Sequence, residues 1–450
     1  MGFQDLYKQA VELHKAGKIA EAERQLEYLG SLKPNDPFVI FALANIDHET
    51  GRPTRAVQLM ERVTQMQPDW SDAWCNLGVF YKKLGITQKA REAYAKGLEL
   101  KPTDEMLLSN MSGSFINEGE PEQALKWANE CLKHHWGQSR ARHHKALALM
   151  EMGRWSEGFA LYDDRLRTDE HKPYKRPYTY PRWRGEKVGR LLIHGEQGLG
   201  DEILFCGWVS RAKQFADEIV IEATDRLVKV FERSFGCKVF ADPKDVMASG
   251  PFDAYIPMGS LPQIFAVTDR DMGGYIKPDM SRVAYIKEKL AEYGPGPYIG
   301  YSWVGGTMQT HGRLRASPRS YWEPLMQYGT PISVQYGEAG PQVAEDLGIP
   351  HWPWLADVPE KLVDLIYACD LVVTVNNTAV HMSGGLGRKC FTLTPSKPAW
   401  RYQLSGESIP WYSSVKQFRQ IGDDWKPAFK QLEADIADFA GVRGNQQAVA

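Results

Sequence analysis

Two stretches put polar side chains where an apolar strand gives way to a helix. The first is "LLIHGEQGLGDEILF", residues 191–205, and its loop carries Glu196, Gln197, Gly198, Gly200, Asp201 and Glu202. A strand–glycine-loop–helix unit usually cradles phosphate with bare amides. Here Asp201 and Glu202 stand at the helix N-terminus, where they would repel a pyrophosphate. Glu222 ends the next strand, as a ribose-binding acid would, but Ile203 occupies the place of the third glycine of a dinucleotide fingerprint, which argues against NAD binding. A carboxylate at a strand end can instead take a proton from an attacking hydroxyl. The glycines keep that loop small enough for a bulky acceptor to approach. Asp201 can also cap its helix, and the two roles can coexist. The second stretch is "LVVTVNNTAVHMSGGLG", residues 371–387, whose loop Asn376-Asn377-Thr378 holds no acid. Free amides are expected at Thr378, Ala379 and Val380, a site for a diphosphate at a helix N-terminus. His381 falls in the first turn; it could reach the same phosphate or sugar, or simply pack. One acidic loop and one phosphate cradle across a cleft suit transfer from a nucleotide-linked donor to a hydroxyl.

The elements that must position these loops alternate in type. Candidate strands are 190–194, 218–222, 298–303, 332–335, 371–375 and 390–394, with helical stretches between most of them. That alternation predicts α/β architecture with parallel sheets. "AEYGPGPYIGYSWVGG" is a Gly/Pro break followed by a fresh strand, so two similar sheet domains are expected, with the cleft at the carboxyl ends of the strands. Pro173, Pro177 and Pro181 exclude a helix through the basic, Tyr-rich stretch before them, which reads as a linker.

Upstream, Gly17, Gly51, Gly85, Gly119 and Gly153 recur every 34 residues. Ala22, Ala56, Ala90, Ala124 and Gly158 follow in step, as do Pro34, Pro68 and Pro102. Trp74, Leu77, Gly78, Tyr81, Ala90, Tyr94 and Pro102 complete the clearest copy, and the array resembles the tetratricopeptide repeat. Each such hairpin buries its apolar face only by stacking on its neighbours, and the stack presents a groove to an extended partner. Asn76 and Asn110 share one repeat position on the groove face, where an amide can pair with a peptide backbone. This resembles the asparagine ladder of protein O-GlcNAc transferases. Exposed helix asparagines with no task are the alternative, since the matching positions are Ala42 and His144. His134, His135, His143 and His144 lack metal-ligand spacing and read as solvated helix surface.

The whole chain has 450 residues, 43% hydrophobic and 24% charged, with net charge −2, which fits several globular domains and argues against nucleic acid as a partner. Six scattered cysteines without a CxxC pair disfavour zinc and a disulfide framework. Neither a signal peptide nor a membrane span is visible, so a cytoplasmic location is expected.

"GRWSEGFALYDDRL", "PRWRGE", "HGEQGLGDEILF", "SVQYG", "ACDLVVTVNNTAVHMSGGLG", "PAWRY" and "IPWYSSVKQFRQ" occur in the order found in bacterial glycosyltransferases that join tetratricopeptide repeats to a heptosyltransferase-like GT-B module. The chain resembles these enzymes, the flagellin glycosyltransferases among them, and more remotely the O-GlcNAc transferases. The resemblance implies an all-α repeat solenoid over 1–165, a linker over 166–187, and a GT-B module of two Rossmann-like domains. Those are an acceptor-side domain over 188–293 and a nucleotide-sugar-binding domain over 297–425, followed by a C-terminal helix and tail over 426–450. It implies an inverting, metal-independent transferase that uses a nucleotide sugar as donor substrate, without a cofactor, on an acceptor protein bound by the repeats. Asp201 would be the base, with Glu196, Gln197, Gly198 and Gly200 forming the acceptor loop. His381 would assist at the leaving phosphate. Arg313, Arg315, Gln335, Asn376, Asn377, Thr378, Ala379, Trp400 and Arg401 would surround the donor. The family commonly has Asp-Thr where this chain has Asn376-Asn377, which changes the charge expected beside the donor. Two other readings stay open: a repeat scaffold without activity, and the same enzyme acting on a glycan or a modified nucleobase.

Overall fold

The 34-residue spacing of glycines is a backbone requirement. In the computed structural model, Gly17, Gly51, Gly85, Gly119 and Gly153 all adopt left-handed φ, between 70° and 79°. A Cβ added at Gly85 would meet nothing within 4 Å, so conformation and not space selects glycine there. The structure describes residues 2–265, 272–305 and 312–441, save the side chains of 170, 172, 173, 313 and 339. These form two compact units, 1–149 and 150–450.

The first unit is helical. It runs α1 (Phe3–Lys15), α2 (Ile19–Leu32), α3 (Pro37–Glu49), α4 (Pro53–Met66), α5 (Ser71–Lys83), α6 (Thr87–Leu100), α7 (Glu105–Ile116) and α8 (Pro121–His134) into α9 (Ser139–Glu151). Pro34, Pro68 and Pro102 each follow the C-cap residue of the second helix of a pair, where proline cannot continue the helix. Ala22, Ala56, Ala90 and Ala124 are fully buried, the close contact that only a small side chain allows. Gly78 is a steric choice: its Cβ would stand 2.3 Å from the Tyr94 ring. His144 departs from the solvated surface expected of it. It is only partly exposed, its ring lies against Gly113, and burial drives its pKa well down.

The second unit begins with α10 (Trp155–Tyr162). There follow β1 (Val188–His194), α11 (Leu199–Cys206), α12 (Val209–Ala212), β2 (Ala216–Glu222), α13 (Val228–Phe235), β3 (Lys238–Phe240), α14 (Pro243–Ala248), β4 (Ala254–Pro257), α15 (Leu261–Ile264) and α16 (Met280–Ala291). Then come β5 (Tyr298–Ser302), β6 (Thr330–Ser333), α17 (Ala339–Leu347), α18 (Pro353–Ala356), α19 (Pro359–Ala368), β7 (Leu371–Val375), α20 (Thr378–Gly385), β8 (Cys390–Thr394), β9 (Ser408–Ile409), β10 (Tyr412–Arg419) and α21 (Lys426–Phe439). Two sheets result, of order β3-β2-β1-β4 and β6-β5-β7-β8-β10-β9. Every pairing is parallel except β9 with β10. β1 and β7 are interior strands, and both end in the loops singled out above. β7 and β8 are buried at every residue, as expected of strands covered on both faces.

Candidate functional site

Loop 195–198 leaves β1 and is anchored from beneath. Glu196 is 1% exposed, and both its carboxylate oxygens accept from Arg165, itself 2% exposed. The Gly259 N–H donates to the same carboxylate at 2.8 Å, and His171 stands 2.8 Å away. Arg165, with His171 close by, outweighs desolvation and holds the Glu196 pKa far below the usual carboxylate range. Glu196 is therefore a buried anchor, not an open contact for an acceptor. Gln197 takes left-handed φ, 65°, a strained choice for a residue with a side chain. Its amide nitrogen donates to Tyr162 Oη at 3.2 Å. Gly198 is the N-cap of α11, and its N–H reaches Asp201 Oδ2 at 3.4 Å. Asp201 thus closes a capping box while staying partly exposed.

The second loop is also more occupied than expected. Asn377 caps α20: its Oδ1 accepts from the Ala379 N–H at 2.9 Å, and its carbonyl accepts from the Val380 N–H at 3.2 Å. The amides of Ala379 and Val380 are consequently not free, contrary to expectation; an Asn side chain before a helix is the residue type that takes them. Asn377 Nδ2 donates to Ser302 Oγ at 2.8 Å and to the Val304 carbonyl at 3.1 Å, tying the ends of β7 and β5 together. Asn376 is 2% exposed and faces β8, where Thr392 and Thr394 hydroxyls donate to its Oδ1 at 2.9 and 3.1 Å. Its amide nitrogen has no hydrogen-bond partner among the described residues. The side chain at 376 acts on a buried threonine pair. Gln335 is similarly committed: its Oε1 accepts from Ser302 Oγ and from the N–H groups of Trp303 and Val304, at 2.9–3.1 Å.

The two loops converge. A Cβ at Gly200 would lie 3.1 Å from His381 Cδ2 and 3.7 Å from Thr378 Oγ1, so α11 and α20 meet N-terminus to N-terminus. A side chain at 200 would press on the His381 ring, which would have to give by a few tenths of an ångström. Across this junction Arg401 donates to Asp201 in an ion pair, with both side chains less than a fifth exposed. Burial alone would lower the Arg401 pKa; the Asp201 carboxylate reverses that and raises it. Arg315 is the second cation, and burial with Arg401 nearby lowers its pKa against the pull of Tyr402 and Tyr336. The Arg313 side chain lies outside the described residues. Thr378 Oγ1 sits 3.4 Å from Tyr336 Oη. His381 is buried and bridges two phenols, Tyr402 Oη at 3.2 Å from Nε2 and Tyr412 Oη at 3.4 Å from Nδ1. Burial, then Arg401 and Arg315, push its pKa down to about 3, so the ring is neutral. The junction therefore gathers one carboxylate, two guanidinium groups and two helix N-termini whose first amides are largely taken by their own caps.

Trp400 departs from the pocket wall expected of it. It is 6% exposed and packs edge-on against Phe159, Tyr162 and Trp411, which makes it part of the floor beneath Arg401. Sequence reasoning missed Arg165, Tyr162, Tyr336, Tyr402 and Tyr412. All five lie inside stretches quoted above: Tyr162 and Arg165 in "GRWSEGFALYDDRL", Tyr336 in "SVQYG", Tyr402 in "PAWRY" and Tyr412 in "IPWYSSVKQFRQ", but nothing local marks them out within those stretches. Two cavities, one of about 640 Å³ lined by residues such as Lys389, Lys416 and Asp435, are lined by none of these groups.

In the helical unit, Asn76 Nδ2 donates to Asn45 Oδ1 at 2.9 Å. Asn110 is 8% exposed and its amide points to Cys75 Sγ at 3.5 Å, so it does not offer a free amide to a groove ligand. Among the described residues no group of His, Cys, Asp and Glu could hold a metal ion, and no helix is long and apolar enough to cross a membrane.

The tetratricopeptide repeat model matches residues 71–104. The chain is similar to Protein FlbA of Caulobacter vibrioides, 26% identical over 445 residues, which is 91% of this chain and 74% of that protein. It is also similar to Protein O-mannosyl-transferase TMTC3 of Homo sapiens, 32% identical over 129 residues, 28% of this chain and only 14% of that protein. Among solved structures, a crystal structure of MamA protein aligns with TM-score 0.34 and 17% identity, over 40% of this chain and 98% of that chain. The chain thus carries a tetratricopeptide repeat within its helical unit, and an α/β unit follows.

Proposed function

We propose that the α/β unit transfers a sugar from a nucleotide sugar to a hydroxyl of an acceptor protein that the repeats select. The observation that carries this reading is the meeting of α11 and α20, which brings Gly200 to Thr378 and His381 and pairs the Asp201 carboxylate with Arg401, with Arg315 nearby. Asp201 would accept the proton of the attacking hydroxyl. Arg315 and Arg401 would match the phosphate oxygens and offset charge on the departing nucleotide. Displacement from the face opposite the phosphate inverts the sugar carbon, and the guanidinium groups take the place of a metal ion. In this reading the two sheets belong to a GT-B module, with an acceptor side over 188–293 and a donor side over 297–425. Similarity to a protein named as an O-mannosyl-transferase supports a transferase, and similarity to FlbA extends over both units.

In the unliganded protein Asp201 is neutralised by Arg401. A phosphate entering the site competes for that guanidinium and frees the carboxylate, so the donor binds first. The same ion pair favours a second reading, a scaffold whose transferase unit is locked shut. Calorimetric titration with a panel of nucleotides and nucleotide sugars separates the two. The transferase binds at least one of them in the micromolar range, about −8 kcal/mol, and Arg315→Ala weakens it. Absence of binding across the panel leaves the scaffold.

A further inference from the structure

The contacts of His381 form one end of a buried hydrogen-bond chain whose hydrogens can be counted. Tyr275 Oη donates to the Ile203 carbonyl at 2.7 Å, because a carbonyl can only accept. Its single hydrogen is then spent, so in the 3.0 Å contact between Tyr275 and Tyr412 the donor is Tyr412. That spends the Tyr412 hydrogen, and the contact with His381 Nδ1 requires the ring to donate. A neutral imidazole with hydrogen on Nδ1 has a bare Nε2, which must accept from Tyr402. Tyr402, Tyr412 and His381 are all at least nine-tenths buried, so water does not complete the count. Gly384 admits the Tyr412 ring, since a Cβ there would fall 2.2 Å from it.

We propose that His381 is a positioning residue locked as the Nδ1–H tautomer, and that it turns the Tyr402 oxygen into an acceptor facing the site arginines. Tyr402 gives its hydrogen inward, so outward it offers only lone pairs, which suit the guanidinium groups of Arg315 and Arg401. The Ile203 carbonyl of α11 sets this polarity from the far end. His381 then donates nothing to a phosphate; it orients the phenol that lies near the two arginines. The effect on a nucleotide rests on the transferase reading, whereas the placement of the hydrogens does not.

The test is long-range proton–nitrogen correlation NMR on the full chain labelled with ¹⁵N-histidine, with His381→Gln to assign the signal. The expected result is hydrogen on Nδ1 and a bare Nε2 between pH 6 and 8 (roughly the range in which a free His titrates). Tyr412→Phe removes the acceptor of that hydrogen and mixes the tautomers, and Tyr275→Phe does so in the same direction. Tyr402→Phe weakens nucleotide binding by about tenfold. Hydrogen on Nε2 in the wild type, or an unchanged tautomer in a folded Tyr412→Phe variant, overturns the inference. If the variants do not fold, the wild-type tautomer decides alone. If no nucleotide binds the wild type, the transferase reading fails while the tautomer still decides this one.

Discussion

Glu196→Gln separates a buried anchor from an acceptor-binding acid, because the two roles predict opposite readouts. The side chain is 1% exposed and receives two hydrogen bonds from Arg165 and one from Gly259. The substitution keeps the shape and removes the charge, leaving the Arg165 guanidinium buried. Breaking a buried pair by removing one partner costs about 3–5 kcal/mol. Asp163, 3.1 Å from Arg165, softens the loss, so the low end, about 3 kcal/mol, is expected. Chemical denaturation followed by the many tryptophans of the second unit measures it, while helical ellipticity of the repeats reports the first unit. The folded-state pKa of Glu196 is depressed. Its stabilisation is therefore fully present above the unfolded carboxyl value and is lost as pH falls below it toward the folded one. The wild type should lose stability on acidification below about pH 4.5, and Glu196→Gln should lose less over that interval. A variant as stable as the wild type, yet unable to use acceptor, would refute the anchor and restore Glu196 to the acceptor loop.

Glu202 has the opposite sign: burial, against the Thr224 N–H, raises its pKa from 4.5 to about 7. The folded state then holds a proton that the unfolded state releases, so stability falls as pH rises between those values, by roughly 3 kcal/mol. Glu202→Gln should flatten that slope, as read by urea midpoints at pH 5 and 7.5. In the repeats, Gly85→Ala should cost about 1–2 kcal/mol from left-handed backbone alone, measured on residues 1–149; no loss of stability would show that the turn relaxes freely. A fragment starting at 150 should fold and bind nucleotide. One starting at 185 lacks Arg165 and Tyr162 and should be unfolded by circular dichroism and proteolysis; a well-folded 185–450 would remove α10 from the site's support.

Much of this molecule is visible in its residues, for reasons that differ by element. The repeats declare themselves because a left-handed turn accepts little but glycine, so Gly17 through Gly153 keep their spacing. β1, β2, β5, β7 and β8 are short apolar runs and read easily. β3 spans three residues, β4 ends in Pro257, and β10 is a mixed polar strand, so none shows an apolar run. β6 spans Thr330–Ser333 and ends two residues before the expected 335, because Gln335 leaves the strand to clamp the end of β5. Asp201 and His381 were placed on facing loops because strand–loop–helix units have local signatures. Contacts between distant segments have none. Arg165 finds Glu196 across 31 residues and Arg401 finds Asp201 across 200. Asn376 and Trp400 were read as ligand contacts because their neighbours, Thr392 and the α10 aromatics, are supplied by the fold alone.

The central claim is that Asp201 removes a proton from an acceptor hydroxyl at a site that also binds nucleotide sugar. The most direct measurement is intact-mass spectrometry of candidate acceptor proteins incubated with the full chain and the nucleotide sugar it binds. Wild type should add the mass of one or more sugar residues, and Asp201→Asn should transfer about 10²-fold more slowly or worse while still binding the nucleotide. Equal transfer by Asp201→Asn, or wild type that binds nucleotide sugar and modifies no acceptor, would contradict the account.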